Sequence, residues 1–299
     1  MSNFAFNNPA FQQQDPRNVA TYPGGPQAGA QTASFQHAAT DAAVNAQLEG
    51  MYAAPPAGAI ETDRMTVEDT VWKTAGLFGI LLATAAIGWV WTASSAMTTG
   101  QPNLLPWMVG ALGGFVLAMV ITFTSRKKVR PGLIWAYAAF EGLFVGAISA
   151  FFEFIWPGVV MQATLATVAV VGVTLALFAS GKIRASAKMT KIVMIAMFGY
   201  LAFSVLNLIL MWTNVLPQDA AFGLHSMEVA GIPLGLIIGV LVVFMAAYSL
   251  VMDFDQIQQG VRNGAPRVYG WLGAFGIMVT VVWLYVEILR IIAILRGND

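Results

Sequence analysis

The chain has no cysteine and only two histidines, His37 and His225. The first absence excludes disulfides, thiolate metal sites and cysteine nucleophiles. With so few imidazoles, a histidine-based zinc centre inside the apolar segments is excluded too; an intramembrane hydrolase is disfavoured because no Ser–His pair falls within those segments, and no enzymatic activity is expected. Charge is equally scarce. Only 10% of the 299 residues are charged, against about 25% in soluble domains. Fifteen basic and fifteen acidic residues cancel, so nothing in the net charge points to nucleic acid. The first 60 residues hold no continuous apolar stretch, and no cleavable signal peptide is expected.

What fills the chain instead is apolar matter, at 58% of residues. Residues 1–64 stand apart. They are rich in Gln, Asn, Ala, Pro and Gly with scattered aromatics such as Phe4, Phe6 and Phe11. Such a segment buries too little surface to offset chain entropy, and is expected to be a disordered cytoplasmic tail. The remaining residues, 65–299, are expected to form one transmembrane domain.

Thr66 and Asp69 read as helix-start residues. Seven apolar segments follow, at about Trp72–Ala93, Leu104–Thr124, Leu133–Trp156, Gly158–Ser180, Ile192–Thr213, Gly231–Met252 and Tyr269–Leu295. Each is long enough to cross ~30 Å of hydrocarbon as a helix. None alternates as a barrel strand does, and backbone groups in lipid must be satisfied internally. The expected fold is all-α: a polytopic membrane protein of seven transmembrane helices.

The bases set the direction. Arg64 and Lys73 flank the first span, and Arg126, Lys127, Lys128 and Arg130 lie between the second and third. Lys182, Arg184, Lys188 and Lys191 follow the fourth, and Arg262 and Arg267 follow the sixth. The intervening connections carry no base. This alternation predicts a cytoplasmic amino terminus. Eight of the nine tryptophans fall near predicted span ends, as an interfacial belt requires, and Trp283 is left for packing. Small residues four apart (Gly110 and Gly114, Gly142 and Gly146, Gly231 with Gly235 and Gly239) predict close helix contacts, within a compact bundle or, alternatively, at a homodimer face, with a monomer expected.

Ionisable residues inside spans are functional candidates by default. Glu141 lies in the third span, Glu287 and Arg290 in the seventh, and Asp253 and Asp255 close the sixth or lie inside it if it runs on to Gly260. A mid-membrane carboxylate costs ~2.5–3.5 kcal/mol on insertion scales, so each should face the bundle interior or a partner. Two acids sharing one such site cannot both be ionised cheaply, and could act as a proton-sensitive latch. Ionised, they could attract a hard cation such as calcium. Simpler readings stand beside this: Glu287 pairs with Arg290 on its own helix, Glu141 packs against Tyr137 or Asn207, and Asp253 and Asp255 form a solvated helix end.

The run Ala247-Tyr248-Ser249-Leu250-Val251-Met252-Asp253-Phe254-Asp255-Gln256-Ile257 resembles the end of the sixth helix in the Bax inhibitor-1 family, and Trp283-Leu284-Tyr285-Val286-Glu287-Ile288-Leu289-Arg290 resembles its seventh-helix signature. The resemblance covers about residues 70 to 295 and takes in bacterial YccA-like and YetJ-like membrane proteins. It implies a multi-pass protein of a bacterial plasma membrane acting as a pH-sensitive calcium leak. An acidic pair, Asp253 and Glu287, would be the latch and a transient calcium site, with Arg126 as counter-charge. An extended sixth helix would instead bring Glu141 within reach of Asp253. The resemblance also admits a regulatory protein that binds another membrane protein, such as a membrane protease, without transport. No cofactor is implied beyond calcium as the permeant ion.

Overall fold

The computed structural model describes residues 63–213, 215 and 222–297. The tail expected over residues 1–64 therefore lies almost wholly outside the described residues. Seven helices long and apolar enough to cross a membrane follow: α1 Val67–Thr99, α2 Leu105–Thr124, α3 Pro131–Ile155, α4 Val159–Ala179, α5 Ala187–Trp212, α6 Leu234–Arg262 and α7 Gly270–Gly297, the last preceded by a 3-10 turn at Arg267–Tyr269. Their outward faces are apolar, with Phe115, Phe123, Leu165, Ile195 and Phe244 each more than 60% exposed. A soluble protein would not tolerate such a surface; lipid requires it.

Local chemistry sets the helix ends. The Thr66 hydroxyl accepts from the Asp69 N–H at 3.0 Å, capping α1 where the sequence suggested. Pro131 opens α3, a position where its missing N–H costs nothing. Glu153 accepts from the N–H groups of Gly158 (2.7 Å) and Val160 (3.2 Å) and so caps the start of α4. Ser186 caps α5 through the Met189 N–H.

The sixth span differs from its expected bounds at both ends. The sixth starts at Leu234, because Ile232–Pro233 pair with Glu228–Val229 in a two-residue hairpin. Ala230 and Gly231 occupy its turn with positive φ, so Gly231 serves the turn and not a helix contact. At its other end α6 continues ten residues past Met252, to Arg262. No proline interrupts the run, and Asp253 finds a partner inside the bundle.

The bundle is built on two tight pairs, α1 with α3 and α6 with α7, with α2 laid against α3. Gly142 and Gly146 let α1 approach: a Cβ at Gly146 would lie 1.9 Å from the Ala85 carbonyl oxygen. α7 is the most buried span and touches α1, α3, α4 and α6. At the end of the bundle carrying the basic connections, hereafter the basic end, Met65 N–H donates to the Ala265 carbonyl (2.7 Å) and Arg267 N–H to that of Asp63 (2.8 Å). Asp69 on α1 pairs with both Lys73 and Arg267, tying the start of α1 to the start of α7. α5 is peripheral, with only Val193, Met197 and Asn207 buried.

Candidate functional site

The continuation of α6 puts Asp253 inside the bundle, not at a wet helix end. Its side chain is 2% exposed, flanked in sequence by the buried Leu250, Val251 and Met252. One carboxylate oxygen accepts from the Thr280 hydroxyl of α7 at 2.6 Å. Thr280 lies ten residues into α7, so the contact is ~15 Å along that helix from its start. No ion pair joins Asp253 to a base among the described residues. One turn toward the basic end, the Gln256 side-chain oxygen is buried without a partner.

Glu287 occupies a different level. It is 3% exposed, is ion-paired with Arg290 on the same helix, and accepts from the Tyr200 hydroxyl of α5 at 3.1 Å. Gly239 of α6 makes room for it: a Cβ there would lie 3.3 Å from a Glu287 oxygen and 2.5 Å from Ile291. The self-pairing of Glu287 and Arg290 weighed from spacing is what forms. Arg290 is thereby committed, although its Nε is buried without a partner.

The structure does not bring Asp253 and Glu287 together. Thr280 and Glu287 are seven residues apart on α7, or ~10 Å along the axis. The register of α6 on α7 sets Asp253 against Thr280, two turns short of Glu287. The two carboxyl groups thus do not share one set of calcium ligands. Glu141 is no substitute partner. It contacts Tyr137 one turn back on α3, and it faces α2, where a Cβ at Gly114 would lie 2.9 Å from its oxygen. Asn207, the other contact considered for Glu141, is engaged elsewhere, as described below. Asp255 is half-buried and accepts from Gln259 at 2.8 Å. Arg126 is exposed in the connection after α2, and among the described residues no ion pair links it to any of these acids.

Sequence reasoning missed Thr280, Tyr200 and the role of His225. Thr280 has no hydropathy signature, since a threonine is ordinary in any apolar run. His225 lies in a 3-10 turn at Gly223–Ser226, between α5 and α6, and is 4% exposed. Asn207 of α5 clamps this turn: its Oδ1 accepts from the Leu224 N–H at 2.7 Å, and its Nδ2 donates to the Phe222 carbonyl and approaches His225 Nδ1, both at 3.3 Å. Burial, aided by the Arg290 charge, pushes the His225 imidazole down to about 4, so it is neutral at pH 7.

Polar groups thus recur along the α6–α7 seam: Gln256, then Asp253 with Thr280, then Glu287 with Arg290 and Tyr200, then His225 with Asn207 at the end away from the bases. No curated protein and no solved structure is significantly similar to the chain. Residues 8–297 match the family described as Bax inhibitor 1 like, a match that begins well inside the amino-terminal segment and not near residue 70. A match over nearly the whole length, with seven membrane-length helices behind it, identifies the chain as a multi-pass membrane protein of the Bax inhibitor 1 like family.

Proposed function

We propose that the protein is a proton-responsive cation leak, with calcium the permeant ion, in which Asp253 is the responsive group. The observation that carries this reading is the isolation of Asp253: a buried carboxylate deep in the bundle, with a neutral hydroxyl partner and, among the described residues, no ion pair to a base. Glu287 has Arg290 and makes a poorer sensor. A proton on Asp253 cancels its negative charge at this level of the seam. Its loss restores a charge able to draw a divalent cation through oxygen ligands. The polar groups spaced along α6–α7 support this seam as the route.

The reading takes the protein to act as a monomer in a bacterial plasma membrane, without catalysis and without a cofactor. Monomeric function is supported by the glycines, whose close contacts are made within the bundle. Calcium flux into dye-loaded proteoliposomes tests the proposal. Flux should rise from pH 5.5 to 7.5 and lose this dependence in Asp253→Asn. Absence of flux at every pH removes the reading.

A second reading, a regulatory protein that binds another membrane protein such as a membrane protease, is favoured by one observation. The family match includes the amino-terminal segment from residue 8, which a leak does not need. A partner that co-purifies with the full chain and is lost on deleting residues 1–60, with no change in Asp253→Asn, would select it.

A further inference from the structure

A cleft of about 1120 Å³ opens between α4, α5 and α6, away from the Asp253–Thr280 contact. It exceeds the roughly 300–1,000 Å³ typical of ligand pockets. Its walls are almost wholly apolar, formed by side chains such as Val173, Leu177, Ile192, Leu241 and Val251.

The cleft opens beside a stretch of α5 that is tied to its neighbours at several points but carries small residues toward the cleft. At the basic end, the Tyr248 hydroxyl of α6 accepts from the Ser186 N–H at 3.0 Å and contacts Thr190 at 3.1 Å. Farther along, Tyr200 reaches Glu287 and Asn207 grips the 3-10 turn. Between these pins α5 presents Ala196 and Gly199 to the cleft, and nothing lies within 4 Å of where a Gly199 Cβ would sit. These two small residues leave the space between the walls unfilled.

The mouth is basic. Ile183 and Met189 line the cleft, and Lys182, Arg184, Lys188 and Lys191 surround them in sequence. No Asp or Glu occurs between Glu153 and Asp219. Lys182, Lys188 and Lys191 are exposed and make no ion pair among the described residues. Arg184 is fixed at the rim, donating to Gln258 at 2.9 Å and lying 4.3 Å over the Phe178 ring. The acid nearest in sequence to Gln258, Asp255, is engaged by Gln259. The other basic connection, Arg126 to Arg130, adjoins the α2–α3 pair. Those two helices pack closely toward their far end, where a Cβ at Gly110 would lie 2.5 Å from the Phe144 backbone nitrogen.

We propose that this cleft is a binding site for an anionic phospholipid, with an acyl chain between α4, α5 and α6 and the phosphate on Lys182, Arg184, Lys188 and Lys191. Hydrocarbon walls need a hydrocarbon occupant, and uncompensated bases at the mouth need an anion. A single amphiphile satisfies both, and the bilayer supplies it. An apolar helix from another protein would leave the bases unused. The proposal does not depend on the cation-leak reading, and its test measures no flux.

The purified full-length chain in mild detergent is incubated with equal amounts of phosphatidylglycerol and phosphatidylcholine of the same chain length, and retained lipid is read by native mass spectrometry. Phosphatidylglycerol should be retained in preference. Lys182→Gln, Lys188→Gln and Lys191→Gln should each lower its retention roughly fivefold. The control pair Lys127→Gln and Lys128→Gln should not change it. Ala196→Leu with Gly199→Leu should expel both lipids, and glycerol phosphate without acyl chains should not compete. Equal retention of the two lipids, an equal loss in the control pair, or competition by glycerol phosphate overturns the proposal. The lysine variants lie on the surface and leave the packing intact, so they decide the matter even if the leucine variant fails to fold.

Discussion

Asp253 of α6 and Thr280 of α7 meet at 2.6 Å, both buried, in the tightest helix pair that α7 makes. The contact joins a group that can carry charge to one that cannot. A proton can therefore change the state of this level of the seam without any second acid titrating beside it.

Removing only the hydroxyl should be worse than removing the pair. Thr280→Val leaves the carboxyl group buried without its donor and should destabilise the protein by about 1–3 kcal/mol. The double variant Asp253→Leu with Thr280→Val should recover most of that loss, because two apolar partners leave nothing unsatisfied. Thermal unfolding of the detergent-solubilised variants measures both. A double variant no more stable than Thr280→Val would contradict the assignment.

At the next level, Arg290→Met leaves Glu287 as an uncompensated buried charge. A loss of about 3–5 kcal/mol is expected. Adding Glu287→Gln to it should restore stability, a sign reversal that a merely steric effect of methionine would not produce.

The α1–α3 contact offers a contrast in glycines. Gly146→Ala forces a methyl group against the Ala85 backbone and should cost about 1–3 kcal/mol through overpacking. Gly76→Ala, with nothing within 4 Å, should be neutral or stabilising by about 0.5–1 kcal/mol from helix propensity. Melting temperatures of the two single variants check this directly.

His225 makes stability depend on pH. Its imidazole is held down to about 4 in the folded chain, against 6.5 when free. Below pH 6.5 the unfolded chain takes up a proton that the folded one refuses, so stability should fall as pH drops from 6.5 toward 4. His225→Gln should flatten that part of the profile. A profile of unchanged slope in this variant would show that other groups dominate.

Orientation can be read chemically, since the chain has no cysteine. Lys128→Cys and Met97→Cys, the latter 87% exposed at the end of α1, should react with an impermeant maleimide from opposite sides of sealed vesicles. The charge pattern predicts that Lys128 reacts from the cytoplasmic side.

Hydropathy along the chain determined the number of spans, because a bilayer demands about 20 apolar residues whatever they pack against. The Gly142–Gly146 spacing announced a close contact, and Glu287–Arg290 announced its own pairing, because helix geometry alone places residues three and four apart on one face. What Asp253 touches was decided elsewhere. Its partner depends on how far α6 continues past Met252, where α7 begins and how the two slide against each other, and none of these is a local property. One more turn of offset would have changed the hydroxyl neighbour for another side chain. The α4–α5–α6 cleft is likewise tertiary. It lies where α5 is tied to its neighbours through Tyr248, Tyr200 and Asn207, contacts between residues far apart in the chain that no periodicity encodes.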